Sequence, residues 1–353
     1  MSRVVLSAAE PSGDALGAAL ARALRALEPG IELLGVAGPH MRAAGVRAVA
    51  RADDLGVMGV VEVLGAAPRL LAARRALAGA LREGAEVFVP IDAPDFHLPV
   101  ARRVGRAGLP VVLFGAPQVW AWRRGRARDI ATWAAEVLCL LPFEVEVFAQ
   151  VGGRARYVGH PAAERVVPSP PGGDWALLPG SRRAEIERIL PAMLQAAARL
   201  RAARPGARIR LGRAESVDPA WLAAAGPLDG VEVVEGLAAA AEPARACLVA
   251  SGTATLELAL MGRPMVVAYA VHPLTYAVGR ALVTGVEHIA LPNLILGRTG
   301  VPEHIQTLDP ARLCADWMAA ADTQAEALAE VRRRVGPPGA ARRAAAAVLE
   351  AIR

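Results

Sequence analysis

Short runs of Val, Ile and Leu recur along this chain, each followed by a longer Ala-, Leu- and Arg-rich segment. The first series is "RVVLSA" (3–8), "EVFVPI" (86–91), "PVVLFG" (110–115) and "EVLCLL" (136–141). The second is "WALLPG" (175–180), "RIRLG" (208–212), "VEVVEG" (231–236), "CLVASG" (247–252) and "PMVVAY" (264–269). Between them lie segments of helical period: in 13–27, Leu16, Leu20, Leu24 and Leu27 recur at i, i+4, i+8 and i+11, one face of a helix. Strand-length runs alternating with helical ones predict βαβ units and parallel sheets.

The stretch "HPAAERVVPSPPGGD" (160–174), rich in Pro and Gly, separates the two series and reads as a linker. A second break, "GPPGAARR" (336–343), precedes a short terminal helix. A chain of 353 residues also exceeds one typical core. The predicted fold class is therefore α/β, with two Rossmann-like, doubly wound parallel-sheet domains facing a central ligand cleft. The boundaries expected are 1–165, 166–335 and a C-terminal helix in 336–353. That helix either crosses back to the N-terminal domain or swaps onto a partner chain in a homodimer.

Composition narrows the function classes. Hydrophobic residues make up 54%, yet charged residues are 21% and spread throughout, and no run of 18 apolar residues exists, so no transmembrane helix is expected. The N-terminus has only a three-residue apolar run, too short for a signal peptide. Cys139, Cys247 and Cys314 are odd in number and far apart, which argues against disulfides or a zinc cluster and for a reduced, cytoplasmic protein. The net charge of +6 favours an anionic partner. Nucleic acid is the weakest such partner, because aromatics are only 4% and no nucleic-acid-binding motif is present.

Three strand-to-helix loops are candidates for phosphate binding. In "LSAAEPSGDALG" (6–17), Ser12 and Asp14 can cap a helix and Gly13 allows close backbone approach, but the G-x-G-x-x-G spacing of a dinucleotide site is missing. In "LLPGSRRAEIERIL" (177–190), a strand ends at Pro179-Gly180, Ser181 can cap the next helix, and Arg182 adds charge to its positive dipole end. "VASGTATLELALMG" (249–262) repeats this arrangement with Ser251, Gly252 and Thr253. Each is also readable as an ordinary βα turn. Two in one domain suggest a nucleotide diphosphate, with Glu257 accepting hydrogen bonds from ribose hydroxyls or standing as a solvated first-turn acid.

"PIDAPDFHLPVARR" (90–103) ends a strand with Asp92 and Asp95. A carboxylate there can take a proton from a hydroxyl, or can serve simply as turn and cap chemistry. The six histidines, His40, His97, His160, His272, His288 and His304, offer no ligand pairs, and no metal site is expected.

Together these pieces resemble the lipid-A-disaccharide synthase family, inverting glycosyltransferases of the GT-B fold. The resemblance is carried by "AEPSGDALGA" (9–18), "GVMGVVEVL" (56–64), "IDAPDFH" (91–97), "PQVWAWRRGR" (117–126), "LPFE" (141–144), "YVGHP" (157–161), "LLPGSRRAEI" (177–186), "SGTATLELAL" (251–260), "PMVVAY" (264–269), "LPNLILGR" (291–298) and "VPEHIQ" (301–306). It departs at "SAAEPSGD", where a glycine pair is more usual before the Glu, and at His97, where Asn is common.

The resemblance implies transfer of a sugar from UDP-2,3-diacylglucosamine to the 6-hydroxyl of 2,3-diacylglucosamine 1-phosphate, without a metal or other cofactor. It places the nucleotide in the C-terminal domain and the acceptor in the N-terminal one. The base expected from it is Asp95, with Glu10 in reserve. Gly180, Ser181, Arg182, Ser251, Gly252, Thr253 and Glu257 are then expected at the UDP-sugar, and Ser12, Gly13, Asp14, Met58 and Glu62 at the acceptor. Asn293, the single asparagine of a chain without lysine, is expected to read the donor with Gln306 nearby, a turn residue being the plainer alternative. A second reading is another GT-B UDP-sugar transferase or epimerase acting on a soluble sugar.

Acylated substrates imply peripheral association with the cytoplasmic face of the inner membrane. Leu70, Leu77 and Leu81 form a stripe flanked by Arg74, Arg75 and Arg82, the pattern of an interfacial helix or of an amphipathic helix facing a core.

Overall fold

The computed structural model describes residues 2–55, 60–120, 125–282 and 287–353. It divides into two compact units, Met1–Pro161 with Pro337–Arg353, and Ala162–Gly336. Among the described residues the first unit holds strands β1 (Arg3–Ala8), β2 (Glu32–Ala37), β3 (Arg47–Arg51), β4 (Val87–Ile91), β5 (Val112–Phe114), β6 (Glu136–Cys139) and β7 (Ala155–Tyr157). The second holds β8 (Asp174–Leu178), β9 (Ile209–Arg213), β10 (Val231–Glu235), β11 (Ala244–Ala250), β12 (Met265–Tyr269) and β13 (Glu303–Ile305).

The first sheet runs β3-β2-β1-β4-β5-β6-β7 and the second β10-β9-β8-β11-β12-β13. Every pairing between these strands is parallel. The order reverses once in each unit, between β1 and β4 and between β8 and β11. Connections diverge at such a point and leave a crevice at the carboxyl ends of the two strands.

The central strands are apolar on both faces because helices cover both. In β1, Val5 points into one cluster with Val36, Leu77, Phe88 and Phe96. Val4 and Leu6 point into the other, with Leu20, Leu24 and the C-terminal residues Ala344 and Val348. The helix Ala340–Ile352 thus returns to the first unit and packs on the helix Pro11–Leu27. Leu20 and Leu24 of that helix are fully buried, whereas Leu27, at its end, is 41% exposed. The second unit is built alike around Trp175, Leu177, Leu190 and Trp317.

Four strands lay outside the sequence expectation: β2, β3, β7 and β13. In β2 the apolar run is broken by Gly35, whose φ of +150° and proximity to the Leu6 carbonyl leave no room for a side chain. The other three are short strands of partly buried residues without a strong apolar signal.

The Leu stripe proves to be a core face. Leu77 and Leu81 are 0% and 6% exposed and Leu70 packs against the same cluster. Arg74 is held inside its own unit, donating to the Asp95 carbonyl at 2.6 Å and the Phe96 carbonyl at 3.1 Å. These residues therefore do not form an inserting face; Leu71, at 50% exposed, and Arg75 and Arg82 remain on the surface. Replacing Leu77 by Ala should lower unfolding free energy by about 3 kcal/mol, read from urea midpoints. A loss under ~0.5 kcal/mol, the range of an ordinary surface change, would contradict this placement.

Candidate active site

All four loops marked by the sequence lie at the two switch points. In the first unit, β1 passes through Ala9 and Glu10 into the helix Pro11–Leu27, and β4 passes through Asp92 and Ala93 into the helix Pro94–Arg106. Asp92 and Ala93 both hold left-handed backbone, with φ of +51° and +43°. Such strain in consecutive non-glycine residues persists only where surrounding contacts enforce it.

Three exposed carboxylates belong to these loops: Glu10, Asp92 and Asp95. Ser12 donates a long hydrogen bond of 3.4 Å to Asp92. The Glu10 carboxyl is raised above the usual range, first by partial burial and then by the negative charge of Asp92. Asp95 stands in the first turn of its helix, its side chain 75% exposed, and receives a 3.1 Å ion pair from Arg126. Beneath them, His97 is fully buried between the Ser7 hydroxyl at 2.9 Å and the Asp92 carbonyl at 2.8 Å. Burial holds its pKa down at about 4, so the ring is neutral at neutral pH.

Two of the acceptor candidates serve the fold instead. Asp14 is 1% exposed, and its carboxylate accepts from the backbone N–H groups of His40 at 2.8 Å and Met41 at 3.0 Å. It caps the short helix Pro39–Ala43 and is not available to a substrate. Gly13 is also buried; a Cβ there would lie 3.2 Å from the Ile91 carbonyl, so glycine permits the helix to approach the end of β4. Met58 and the side chain of Glu62 lie outside the described residues.

In the second unit, β8 passes through Pro179, Gly180, Ser181 and Arg182 into the helix Arg183–Ala203, and β11 passes through Ser251 and Gly252 into the helix Thr253–Met261. Gly180 has φ +96° and Gly252 φ +157°, conformations that favour glycine. The Gly180 turn starts beside the end of β11, since a Cβ on Gly180 would lie 3.4 Å from the Ala250 side chain. No atom comes within 4 Å of the corresponding position on Gly252. Arg182 is exposed and pairs with Glu185 at 2.8 Å. The Ser251 hydroxyl donates to the Ile289 carbonyl at 3.2 Å, and Glu257 receives Arg165 at 3.1 Å.

Asn293 is not a ligand-reading residue. It is fully buried, and both ends of its amide are used. Its Nδ2 donates to the Val301 carbonyl at 2.9 Å and to Glu303 at 2.8 Å, while its Oδ1 accepts from the N–H groups of Gly300 at 2.7 Å and Val301 at 2.9 Å. Gln306, with φ +65°, is spent on Val271, accepting from its N–H at 2.7 Å and donating to its carbonyl at 3.1 Å. The residue that shapes this region is Glu303, which accepts from the backbone of Ile289 and, at 2.9 Å, of Ala290, fixing the segment that meets Ser251. Only the motif "VPEHIQ" signalled it. Among the described residues no three His, Cys, Asp or Glu side chains gather to hold a metal ion.

Two doubly wound parallel units, with carboxylates at one switch point and glycine-led helix starts at the other, have the architecture of the GT-B fold class. The fold matches the calicheamicin glycosyltransferase CalG4 with a TM-score of 0.64 at 18% identity, over 99% of this chain and 98% of that one. It matches a UDP-GlcNAc 2-epimerase from Neisseria meningitidis with a TM-score of 0.60 at 8% identity, over 99% of both chains. A profile of the family described as lipid-A-disaccharide synthetase matches residues 4–320. The chain belongs to the lipid-A-disaccharide synthase family. Lipid-A-disaccharide synthases of Anaeromyxobacter sp. (strain K) and Myxococcus xanthus are 42% and 40% identical to it, over 99% of this chain and 98% and 97% of theirs. That of Neisseria gonorrhoeae is 40% identical over 89% of this chain and 86% of its own.

Two tests follow from the buried polar groups. Asn293→Ala should cost about 3 kcal/mol or more of stability, because several buried backbone groups lose partners. UDP affinity of the folded fraction, read by calorimetry, should stay unchanged. Glu144, which accepts from the N–H groups of Leu140 at 3.2 Å and Leu141 at 3.0 Å, is pushed up to about 7 by burial. The folded protein therefore holds this proton more tightly than the unfolded chain does. That contribution is full below the ordinary Glu range and is lost as pH rises through 7, a loss of roughly 3 kcal/mol. Glu144→Gln keeps the acceptor oxygen without the charge, so it should gain stability over the parent between pH 5 and pH 8 in urea unfolding. Parallel pH profiles would contradict the assignment.

Proposed function

We propose that this lipid-A-disaccharide synthase transfers the diacylglucosamine of a UDP-activated donor to the 6-hydroxyl of 2,3-diacylglucosamine 1-phosphate. The products are a β-1,6-linked disaccharide 1-phosphate and UDP. The observation that carries the reading is the division of chemistry between the units: carboxylates at β1 and β4, and glycine-led helix starts at β8 and β11, in a chain of this family.

In this reading Asp95 accepts the proton of the acceptor hydroxyl as its oxygen attacks the anomeric carbon. The bond from that carbon to the UDP oxygen breaks on the opposite face, inverting the centre, and UDP leaves with the electron pair. Arg126 orients the Asp95 carboxylate. The raised carboxyl of Glu10 supports a second reading, in which Glu10 is the base, since a base works best with a pKa near the operating pH. The diphosphate is received by the N–H groups at 180–182 and 251–253, with the positive ends of two helices behind them and Arg182 beside them. No metal is required for that charge in this scheme. Glu257 takes the ribose by exchanging Arg165 for its hydroxyls.

Acylated substrates place the protein peripherally at the cytoplasmic face of the inner membrane. The core positions of Leu77 and Leu81 leave Leu71, Arg75 and Arg82 to make contact on that helix.

Release of UDP from diacylated donor and acceptor tests the reading, with deacylated sugars and a chelator as parallel arms. Asp95→Asn should lose roughly 10²–10⁴-fold in kcat while UDP still binds, and chelation should change nothing. If Glu10→Gln carries that loss and Asp95→Asn does not, the base is Glu10. Equal turnover of a deacylated acceptor would favour a transferase for soluble sugars.

A further inference from the structure

We propose that His97 is a positioning residue for the reaction: through its Nδ1 hydrogen bond to the Asp92 carbonyl it holds the left-handed turn that carries Asp92 and aims Asp95. This rests on the reading of the 92–95 loop as the acceptor-activating element.

Two successive non-glycine residues with positive φ occupy a sparsely populated conformation, each at a cost that neighbouring contacts must offset. The contacts are few and local. The Asp92 N–H donates to the Phe114 carbonyl at 3.2 Å, and the Ala93 carbonyl accepts from the N–H groups of Phe96 at 3.0 Å and His97 at 3.2 Å. The Asp92 carbonyl is reached from below by the His97 ring at 2.8 Å.

A carbonyl only accepts, so Nδ1 must carry the proton. Nε2 is then the acceptor, and the buried Ser7 hydroxyl donates to it at 2.9 Å. Ser7 lies on β1 and His97 on the helix that follows β4, so one imidazole joins β1 to the turn that leaves β4. The ring's orientation is fixed further by an edge-on contact with Phe96, whose face carries the Arg74 guanidinium. Arg74 also donates to the Asp95 carbonyl. The peptide carbonyls before and after the Ala93-Pro94 step are thus each held by a buried or half-buried donor.

The two amide side chains separate this role from general packing. Asparagine places its Nδ2 where the ring has Nδ1, and so preserves the donor to Asp92 while losing Ser7. Glutamine reaches the Nε2 position, and so preserves the Ser7 contact while losing Asp92. The experiment measures kcat and KM for UDP release, with thermal unfolding in parallel, for His97→Asn, His97→Gln and His97→Leu, and uses Asp95→Asn as the control.

The expected result is that Asn stays within a few-fold of the parent kcat. Gln and Leu should fall by roughly 100-fold in kcat, the scale of a misplaced catalytic group. The KM for the donor, held by the other unit, should be unchanged. If Asn and Gln lose kcat equally, or if every loss follows the unfolded fraction at assay temperature, the proposal is overturned while the loop reading stands. If Asp95→Asn and Glu10→Gln both retain turnover, the loop reading falls and the proposal with it.

Discussion

The order of strands in each sheet is the constraint on which everything else depends. From β1 the chain winds outward to β2 and β3, then returns and winds the other way through β4 to β7; β8 to β13 repeat the scheme. Right-handed crossovers put helices on opposite faces on either side of each reversal. The loops leaving β1 and β4, and those leaving β8 and β11, therefore part from one another and expose backbone N–H groups and short polar side chains. The proposed reaction assigns the diphosphate to one of these two places and the base to the other.

Buried polar side chains do the positioning, and the described ones that matter here are saturated. Asp14 caps a helix, Asn293 and Glu303 bind the 289–301 segment, and Gln324 spans the Met265 backbone from both sides. Arg263, 0% exposed, is received by carbonyls of Ala241, Glu242 and Ser169 and by the Ser169 hydroxyl. An unpaired polar group in such surroundings would cost on the order of 1–3 kcal/mol. The single asparagine of the chain stands in such surroundings, with both ends of its amide hydrogen-bonded. Its amide satisfies donors and acceptors together, which neither Asp nor Arg can do.

Much of the fold was legible because central parallel strands are continuous apolar runs with glycine or proline at their ends. β2 escaped through Gly35, and β3, β7 and β13 because edge strands bury less and need less apolar sequence. The site was legible as loops but not as side-chain directions. Glu10, Ser12, Gly13 and Asp14 share one motif, yet Glu10 and Ser12 are exposed while Gly13 and Asp14 face the protein. Leu70, Leu77 and Leu81 read equally well as a membrane face or a core face, since periodicity reports that a stripe exists and not what lies opposite it.

The sequence by itself determined the α/β class, the two-series organisation, the four loops and the family, because these depend on local periodicity, turn chemistry and contiguous motifs. Tertiary structure decided which polar residues are spent inside. It turned Asn293 and Gln306 from candidate ligand readers into backbone clamps, and gave His97, which the sequence marked only as a departure from the family pattern, two partners at the first switch point. The physical reason is that a hydrogen-bonding side chain is defined by its partners. Those of Asn293 lie seven to ten residues away, and that of His97 on β1 lies 90 residues away, at distances no local pattern encodes.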